Sequence, residues 1–351
     1  MPDSKAFPDF DINGPGIPGK LFGVPHSEAE AGVIVLPIPW EATVTYHTGT
    51  ALGPSAILQA STQVDLFHRE IPDAWQLGIF MPEIPSSIAE TSATVRQLAL
   101  RRQNSPEEEP LIAEKVNEAC NNLNIYVRNM AGRYLSEGKI VGLVGGDHST
   151  PLGLIHALTE KHNRFGILQF DAHADLRKAY LGFRYSHASI MYNVLKSPAV
   201  GKLVQVGIRD LCEEEHELIR QAGGRTKTFF DDDLKRMLDS GKSWANICDS
   251  IVQELPPKVY ISFDIDGLDP FYCPHTGTPV PGGLSFFQAT ELIRAVALSR
   301  RSIIGFDLNE VAPGTNDDWD ANVGARLLWH LSCWTGVSHR LLTLSRQEGR
   351  N

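Results

Sequence analysis

The sequence predicts an α/β fold in which a mostly parallel sheet is covered by helices on both faces. Apolar runs that suit strands alternate with helical segments through most of the chain. These runs are apolar throughout, which is typical of strands buried on both faces. Several of them end in acidic residues or histidine. Since ligands bind beyond the carboxyl ends of such strands, the chemistry is expected there.

The composition favours a globular enzyme. The chain has 351 residues, of which 42% are hydrophobic and 21% charged, enough to bury a large core. Its five cysteines form no CxxC pair, so neither a disulfide framework nor a zinc knuckle is predicted and a cytoplasmic location is expected. The net charge of -10 argues against a nucleic-acid partner, and no apolar run approaches the length of a membrane span.

The elements follow one another along a single predicted domain. Residues 1–30, rich in Pro and Gly, predict an extended arm on the surface or on a neighbouring subunit, and residues 31–351 form the domain. A charged break is expected at residues 101–110. The predicted strands are residues 32–37, 140–144, 165–170, 203–208, 259–263 and 303–306. The predicted helices begin at Gly53 and near residues 111, 151, 213, 243, 285 and 321.

Three potential metal ligands follow the third of these strands. Asp171, His173 and Asp175 occupy alternating positions directly after the apolar run at residues 165–170. Because side chains of an extended chain alternate in direction, all three can point the same way.

Three other strands also end in polar residues. His148 follows residues 140–144, Asp264 and Asp266 follow residues 259–263, and Glu310 follows residues 303–306. Asp147 is interpreted as a cap of the helix near Pro151 and is not counted as a ligand.

These strand ends predict a dinuclear metal site. Buried carboxylates are costly unless they are paired or bind metal, so acidic residues converging on one sheet edge need cations. Two divalent ions about 3.5 Å apart form a hydrolytic device. Oxygen and imidazole donors suit Mn²⁺ or Ni²⁺ better than Mg²⁺. The predicted ligands are His148, Asp171, His173, Asp175, Asp264 and Asp266.

The motifs resemble those of the ureohydrolase family, the arginases and agmatinases. The signatures GGDHS, DAHxD and SFDxDxxDP are found at residues 145–149, 171–175 and 262–270. This resemblance implies a three-layer α/β/α fold and hydrolysis of a guanidine-type C–N bond at two metals. It also implies a hexamer or trimer.

The resemblance also implies individual roles. One ion would be held by His148, Asp171, Asp175 and Asp264, and the other by His173, Asp171, Asp264 and Asp266. His187 is similar in position to a proton-shuttling histidine, and Asp266 is a second candidate for proton relay. Glu310 matches an acidic residue that receives the guanidinium group.

The segment after the DAHxD motif bears on the substrate. Residues 176–184 lack the Asn and Ser that follow this motif in arginases, which argues against arginine. Their basic side chains would repel the distal ammonium of agmatine if they face the pocket.

The wider pattern is most similar to the agmatinase-like branch that contains guanidine hydrolases and metformin hydrolases. The similar segments are residues 39–46, 185–189 and 319–326. That branch implies nickel and a compact cation, guanidine or a biguanide such as metformin. Thr43, His47 and Trp319 are predicted to line the pocket, and Trp319 could stack on a planar cation.

Three alternatives stay open. Agmatine or guanidinobutyrate would need a pocket with room and polar groups for a tail. A non-catalytic assembly subunit of a heteromeric ureohydrolase would lack ligands, whereas this chain has all six. A deacetylase of related fold needs only one zinc, and the pair His173 and Asp266 argues against it.

Overall fold

The computed structural model describes residue 7, residues 9–104 and residues 110–345. Within these residues, eight strands form one parallel sheet. The strands are β1 (Val33–Pro37), β2 (Ile79–Phe80), β3 (Ile140–Val144), β4 (Phe165–Phe170), β5 (Val200–Ile208), β6 (Thr226–Phe230), β7 (Lys258–Asp264) and β8 (Ser302–Asn309). Their order across the sheet is β2-β1-β3-β8-β7-β4-β5-β6.

Helices connect the strands and cover the sheet. They are α1 (Gly53–Ser61), α2 (Ser86–Asn104), α3 (Pro110–Ser136), α4 (Leu152–Lys161), α5 (Ile190–Val194), α6 (Glu213–Gln221), α7 (Asp231–Asp239), α8 (Trp244–Gln253), α9 (Phe286–Leu298) and α10 (Trp319–Ser338). No helix in the described part of the chain has the length and apolar content needed to cross a bilayer.

The sheet separates two hydrophobic cores. Alternate residues of β1 belong to different cores: Val33 and Val35 lie in one, and Ile34 and Leu36 lie in the other. Apolar residues of α1, α8, α9 and α10 complete the first core, and those of α2, α3, α4 and α5 complete the second. The predicted three-layer α/β/α fold is therefore confirmed.

Several elements differ from the sequence-based expectation. Helix α2 extends to Asn104, into the segment expected to be a charged break; residues 105–109 of that segment lie outside the described residues. Strand β6 and helix α7, at the edge of the sheet, are further elements that the apolar pattern did not reveal. The six predicted strands and the long helix α3 are confirmed.

The segment before β1 packs partly against the domain. Phe22 is buried, its backbone N–H donates to Ser61 Oγ at 2.9 Å, and its ring meets Trp329 of α10 edge-on at 5.0 Å. Residues 1–6 and 8 lie outside the described residues. The division into an arm and a domain at residue 30 stays a prediction.

The strand order explains how distant sequence motifs meet. β3, β8, β7 and β4 are consecutive neighbours at the centre of the sheet, although β8 comes last in the sequence. All four run in the same direction, so their carboxyl ends share one edge. Phe170 and Phe263, the paired last apolar residues of β4 and β7, stack at 4.6 Å and close the core below that edge.

Candidate metal centre

The first group of ligands surrounds His148, which is 1% exposed. Its Nδ1 lies 3.0 Å from Asp171 Oδ2, 3.0 Å from Asp175 Oδ2 and 3.3 Å from Asp264 Oδ2. These residues come from the ends of β3, β4 and β7. The parallel sheet thus brings three carboxylates close to one imidazole nitrogen.

The second group surrounds His173. Its Nδ1 lies 3.1 Å from Asp266 Oδ2 and 3.6 Å from Asp171 Oδ1. Asp171 therefore directs one carboxylate oxygen to each imidazole, as a bridging ligand would. The ligand atoms of each triad, His148 with Asp171 and Asp175, and His173 with Asp171 and Asp266, lie within 4.8 Å of one another.

Hydrogen bonds from outside the groups orient the ligands. Gln169 Nε2 donates to Asp171 Oδ2 at 2.7 Å. His148 Nε2 lies 2.9 Å from Ser262 Oγ, which in turn donates to Asp307 Oδ1 at 3.1 Å. A histidine ligand commonly donates its second ring N–H to such a partner, which fixes the tautomer and the ring plane.

The crowding of buried carboxylates shifts their proton affinities. Burial, and after it the neighbouring Asp171 carboxylate, raises the pKa of Asp175 to about 7. Burial likewise holds the pKa of Asp264 well above its ordinary range, with Asp266 adding to the effect. Burial lowers the pKa of His148, but the close carboxylates, Asp171 first, outweigh it and raise that pKa well above its ordinary value. Without other cations, protons shared between the carboxylates and the imidazole must offset the negative charge of the site.

The donor set fits divalent metal ions. His148 Nδ1 is buried and, among the described residues, has no partner with hydrogen-bond geometry, although three carboxylate oxygens face it. When this nitrogen carries no proton, its lone pair and the carboxylate oxygens repel one another unless a metal ion lies between them. Mixed carboxylate and imidazole donors suit divalent transition metals such as Mn²⁺ and Ni²⁺. Each of the two groups can therefore hold such an ion.

Glu310 lies beside this centre at the end of β8. Its side chain is buried; Oε1 accepts the backbone N–H of His148 at 2.9 Å, and Oε2 has no partner among the described residues. A Cβ added to Gly277 would lie 2.8 Å from Oε2, so the absence of a side chain at Gly277 leaves this oxygen its space. Glu310 thus keeps one carboxylate oxygen available for a ligand.

Two of the site residues have an unusual backbone conformation. Asp175 has a φ of 54° and Glu310 a φ of 62°, both in the left-handed region that favours glycine. Side chains in that region carry strain, which tends to persist at functional positions. Nothing in the residue pattern reveals this feature.

His187 lies next to the centre and contacts Thr43. Its Nδ1 is 3.3 Å from Thr43 Oγ1, and its backbone N–H donates to the same oxygen at 3.3 Å. Burial, followed by the neighbouring His173 and His148, lowers the pKa of His187 to about 3. The ring is therefore neutral at neutral pH, with Nδ1 close to a hydroxyl that it can hydrogen-bond.

Asp147 does not cap helix α4, so that interpretation is wrong. No side-chain cap is present at the start of α4. The Asp147 carboxylate instead accepts the Ser149 N–H at 3.0 Å and the Thr43 N–H at 3.4 Å. It ties the loop that carries Thr43 to the strand end that carries His148.

A cavity of about 160 Å³ opens from the ligands toward solvent. Its lining includes the predicted residues His173, Asp175 and His187, together with Thr45, Arg177, Tyr180, Asp210, Glu215 and Thr278. Asp210 and Thr278 were not predicted from the sequence. Asp210 could have been found, because it follows the end of β5 just as the other acidic site residues follow the ends of their strands.

The basic residues after the DAHxD motif contribute one cation to this cavity. Arg177 lines it, but its Nε lies 3.7 Å from Glu215 Oε2 and its guanidinium lies over the Tyr180 ring at 5.0 Å. Arg184 pairs with Glu114 on the surface at 2.9 Å. The charge of Arg177 is thus balanced locally, which weakens the predicted repulsion of a cationic tail.

His47 and Trp319 lie apart from the cavity lining. His47 Nδ1 is 3.2 Å from the carbonyl oxygen of Thr276, next to Gly277. Trp319 is 41% exposed and donates its ring N–H to the Phe271 carbonyl at 2.8 Å. Neither is among the described residues that line the cavity, and the same is true of Thr43 and Glu310. Their roles in substrate binding stay predictions.

A sequence model described as the Arginase family matches residues 31–333. The chain belongs to the arginase family. The predicted resemblance is therefore confirmed, and the protein is a hydrolase that acts on carbon–nitrogen bonds in linear amidines. The family uses a dinuclear site of divalent metal ions, for which this chain presents the two ligand groups.

Two relatives show the family along nearly the whole chain. The N(1)-aminopropylagmatine ureohydrolase of Thermus thermophilus is 34% identical over 302 residues, 86% of this chain and 89% of the relative. The enzyme of the same name from Synechocystis is 30% identical over 319 residues, 90% of this chain and 92% of the relative. The crystal structure of an agmatine ureohydrolase of Thermoplasma volcanium has the same fold, with a TM-score of 0.71, 22% identity and coverage of 92% of this chain and 96% of that one.

Proposed function

We propose that this member of the arginase family hydrolyses a C–N bond of a compact guanidine-type cation, guanidine itself or a biguanide such as metformin. The observation that carries the proposal is the buried Oε2 of Glu310 beside the ligand groups, which has no partner among the described residues. A buried carboxylate oxygen without a donor favours a cationic ligand with N–H groups. The small cavity, about 160 Å³, supports a compact substrate.

The six predicted ligands would hold the two metals. His148, Asp171, Asp175 and Asp264 would hold one ion, and His173, Asp171, Asp264 and Asp266 would hold the other. Such ions supply Lewis acidity and lower the pKa of water. We propose Ni²⁺, the metal implied by the branch that the motifs resemble, with Mn²⁺ as the alternative; carboxylate and imidazole donors without thiolate suit both ions.

The side chains around the ligands orient the substrate and move its proton. Glu310 receives the guanidinium group and turns the central carbon toward the ligands. His187, held by Thr43, would pass the proton that the attacking water releases to the nitrogen of the departing amine, while the water oxygen replaces that nitrogen on the central carbon. Asp266 is a second relay. The products are urea, or a substituted urea, and ammonia or an amine.

An agmatine-type substrate is the second candidate, supported by Asp210. This carboxylate lines the cavity with a side chain that is 66% exposed, 4.0 Å from His173 Nε2. Because Arg177 is balanced by Glu215, Asp210 is free to attract the distal ammonium of a tailed substrate. The relatives named N(1)-aminopropylagmatine ureohydrolases also support this candidate.

A substrate panel tests the proposal. Purified chain is stripped of metal, reloaded with Ni²⁺ or Mn²⁺, and assayed for product release from guanidine, metformin, agmatine, guanidinobutyrate and arginine. We expect the highest kcat/KM for guanidine or metformin. Preference for agmatine, together with a loss of that preference in Asp210→Asn, would favour the second candidate instead.

The same preparation tests the assembly. We propose a hexamer or trimer, which light scattering on the purified chain measures. The complete ligand set supports a catalytic subunit, so the chain alone should turn over substrate. Activity only after addition of a related second subunit would support the heteromeric assembly.

A further inference from the structure

Helix α2 contacts the loop that faces the substrate cavity. This loop, residues 41–45, carries Thr43 beside His187 and Thr45 in the cavity lining. The helix binds it at two positions. Ser92 Oγ accepts the backbone N–H of Glu41 at 2.9 Å, and the Val44 carbonyl accepts from Arg96 Nη1 and, at 3.0 Å, from Gln103 Nε2.

Arg96 is an unusual residue for this position. It is 6% exposed, and its Nε has no partner among the described residues. No carboxylate in the described part of the chain forms an ion pair with it; Glu41 and Asp147 act on it only from a distance. A buried guanidinium without a paired carboxylate is unfavourable, so packing alone does not account for this side chain.

The loop residues that Arg96 contacts are adjacent to His187, the proposed proton-transfer residue. Val44, whose carbonyl it holds, follows Thr43, whose hydroxyl lies 3.3 Å from His187 Nδ1. Asp147 holds the same loop from the opposite side through the Thr43 N–H. The loop is thus held between a strand end of the metal centre and helix α2.

We propose that Arg96 is a positioning residue that fixes residues 43–45 against the cavity and thereby sets substrate affinity and selectivity. Since it acts through Val44 and Thr43, it touches neither substrate nor metal ligands. The inference rests on the proposed function, because it assigns selectivity to the same cavity. Thr45 displaced from its position would change the shape of the cavity wall and therefore affect compact and tailed substrates differently.

The test compares Arg96→Met, which keeps the length but removes the donors, with Arg96→Lys, which keeps the charge. Gln97→Met is the matched control, because Gln97 is the exposed neighbour of Arg96 on the same helix. Gln103→Met removes the other donor to Val44 and serves if Arg96→Met does not fold. The full chain is used, reloaded with Ni²⁺ or Mn²⁺, with metal content measured for every variant.

Two readouts distinguish positioning from a merely structural role. Hydrogen exchange followed by mass spectrometry should show roughly tenfold faster exchange at residues 41–47 in Arg96→Met, with the ligand loops and metal content unchanged. Kinetics should show KM raised by about tenfold and a changed ratio of kcat/KM between guanidine and agmatine, with partial rescue in Arg96→Lys. Gln97→Met should match the wild type.

The outcomes separate the two proposals. Unchanged loop exchange and an unchanged substrate ratio in Arg96→Met and Gln103→Met would overturn the role of Arg96 while leaving the proposed function intact. A wild type inactive on every compound of the panel would overturn the proposed function. In that case the exchange data still decide whether Arg96 holds the loop.

Discussion

Asp171 connects the two ligand groups through a single carboxylate. One of its oxygens faces His148 at 3.0 Å and the other faces His173 at 3.6 Å. Asp175, four residues later, faces only His148. The two aspartates follow the same strand, yet their loss should have different consequences for metal binding.

We therefore expect Asp171→Asn to weaken both metal sites and Asp175→Asn to weaken one. Metal content after dialysis, measured by mass spectrometry, should fall well below one ion per chain in the first variant and stay near one in the second. Activity should fall on the order of 100-fold or more in both. Asp210→Asn, in the cavity but outside the ligand groups, should keep its full metal content. Equal metal loss in the two ligand variants would contradict a bridging Asp171.

Because Gly277 has no side chain, space is left beside Oε2 of Glu310. A Cβ at this position would lie 2.8 Å from Oε2, where a guanidinium N–H is proposed to bind. Gly277→Ala should raise KM for the guanidine substrate by about ten- to 100-fold, as expected for loss of a hydrogen bond to a charged group, and Glu310→Gln should act in the same direction. Steady-state kinetics measure this effect. An unchanged KM in both variants would contradict the binding role of Glu310.

At the scale of elements, α3 and α4 approach each other through Gly153. A Cβ added there would overlap the Asn124 carbonyl oxygen and lie 2.7 Å from Val127 Cβ. Gly153→Ala should therefore lower the free energy of unfolding by about 1–3 kcal/mol, the usual effect of overpacking.

A second glycine provides the control. Gly132, within α3, has open space around its would-be Cβ. Gly132→Ala should stabilise the protein by up to about 1 kcal/mol, because alanine is the better helix former. Urea unfolding of the two variants measures the contrast. Equal effects would mean that α3 and α4 do not pack as closely as the structure indicates.

Helix α2 shows why some elements were not predicted from the sequence. Its buried positions, Ser92, Val95, Arg96 and Ala99, have helical spacing, but two of the four are polar. A pattern search follows apolar side chains, so a helix that turns Ser and Arg inward leaves little signal. The same helix forms hydrogen bonds with the loop at residues 41–45. Its polar inner face, the reason it was missed, is also the reason it can bind that loop.

For the whole molecule, the metal motifs were predictable and their relative placement was not. The spacing after β4 predicts that Asp171, His173 and Asp175 lie close together, although Asp175 departs from extended backbone with a φ of 54°. The contact between the β3 end and the β8 end depends on strand order, which no spacing encodes. The cavity residue Asp210 follows β5, a strand without a metal motif, so its place in the site required the fold.

A half-buried histidine contributes to the acid response of the folded chain. Burial, with His68 adding to it and Glu70 opposing it, lowers the pKa of His330 to about 4 from its ordinary value of 6.5. The unfolded chain therefore binds this proton first as the pH falls. The stabilising contribution is complete above pH 6.5 and is lost progressively between pH 6.5 and 4.

Comparison with His330→Gln isolates this effect. The free energy of unfolding is measured by urea titration at several pH values on chelator-treated protein, so that metal release does not contribute. We expect the wild type to lose stability more steeply than the variant over this range and the two curves to run parallel above pH 7. Parallel curves throughout would contradict the depressed pKa.

The left-handed backbone at Asp175 implies a trade-off between stability and activity. A residue with a φ of 54° is strained by its Cβ, and glycine would relieve that strain. Asp175→Gly and Asp175→Ala remove the same carboxylate, yet the glycine variant should be about 1 kcal/mol more stable in urea unfolding. Equal stability would mean that the backbone there carries no strain. Glycine at this position would thus relieve backbone strain but remove the carboxylate that faces His148, so stability and the proposed metal binding make opposite demands on residue 175.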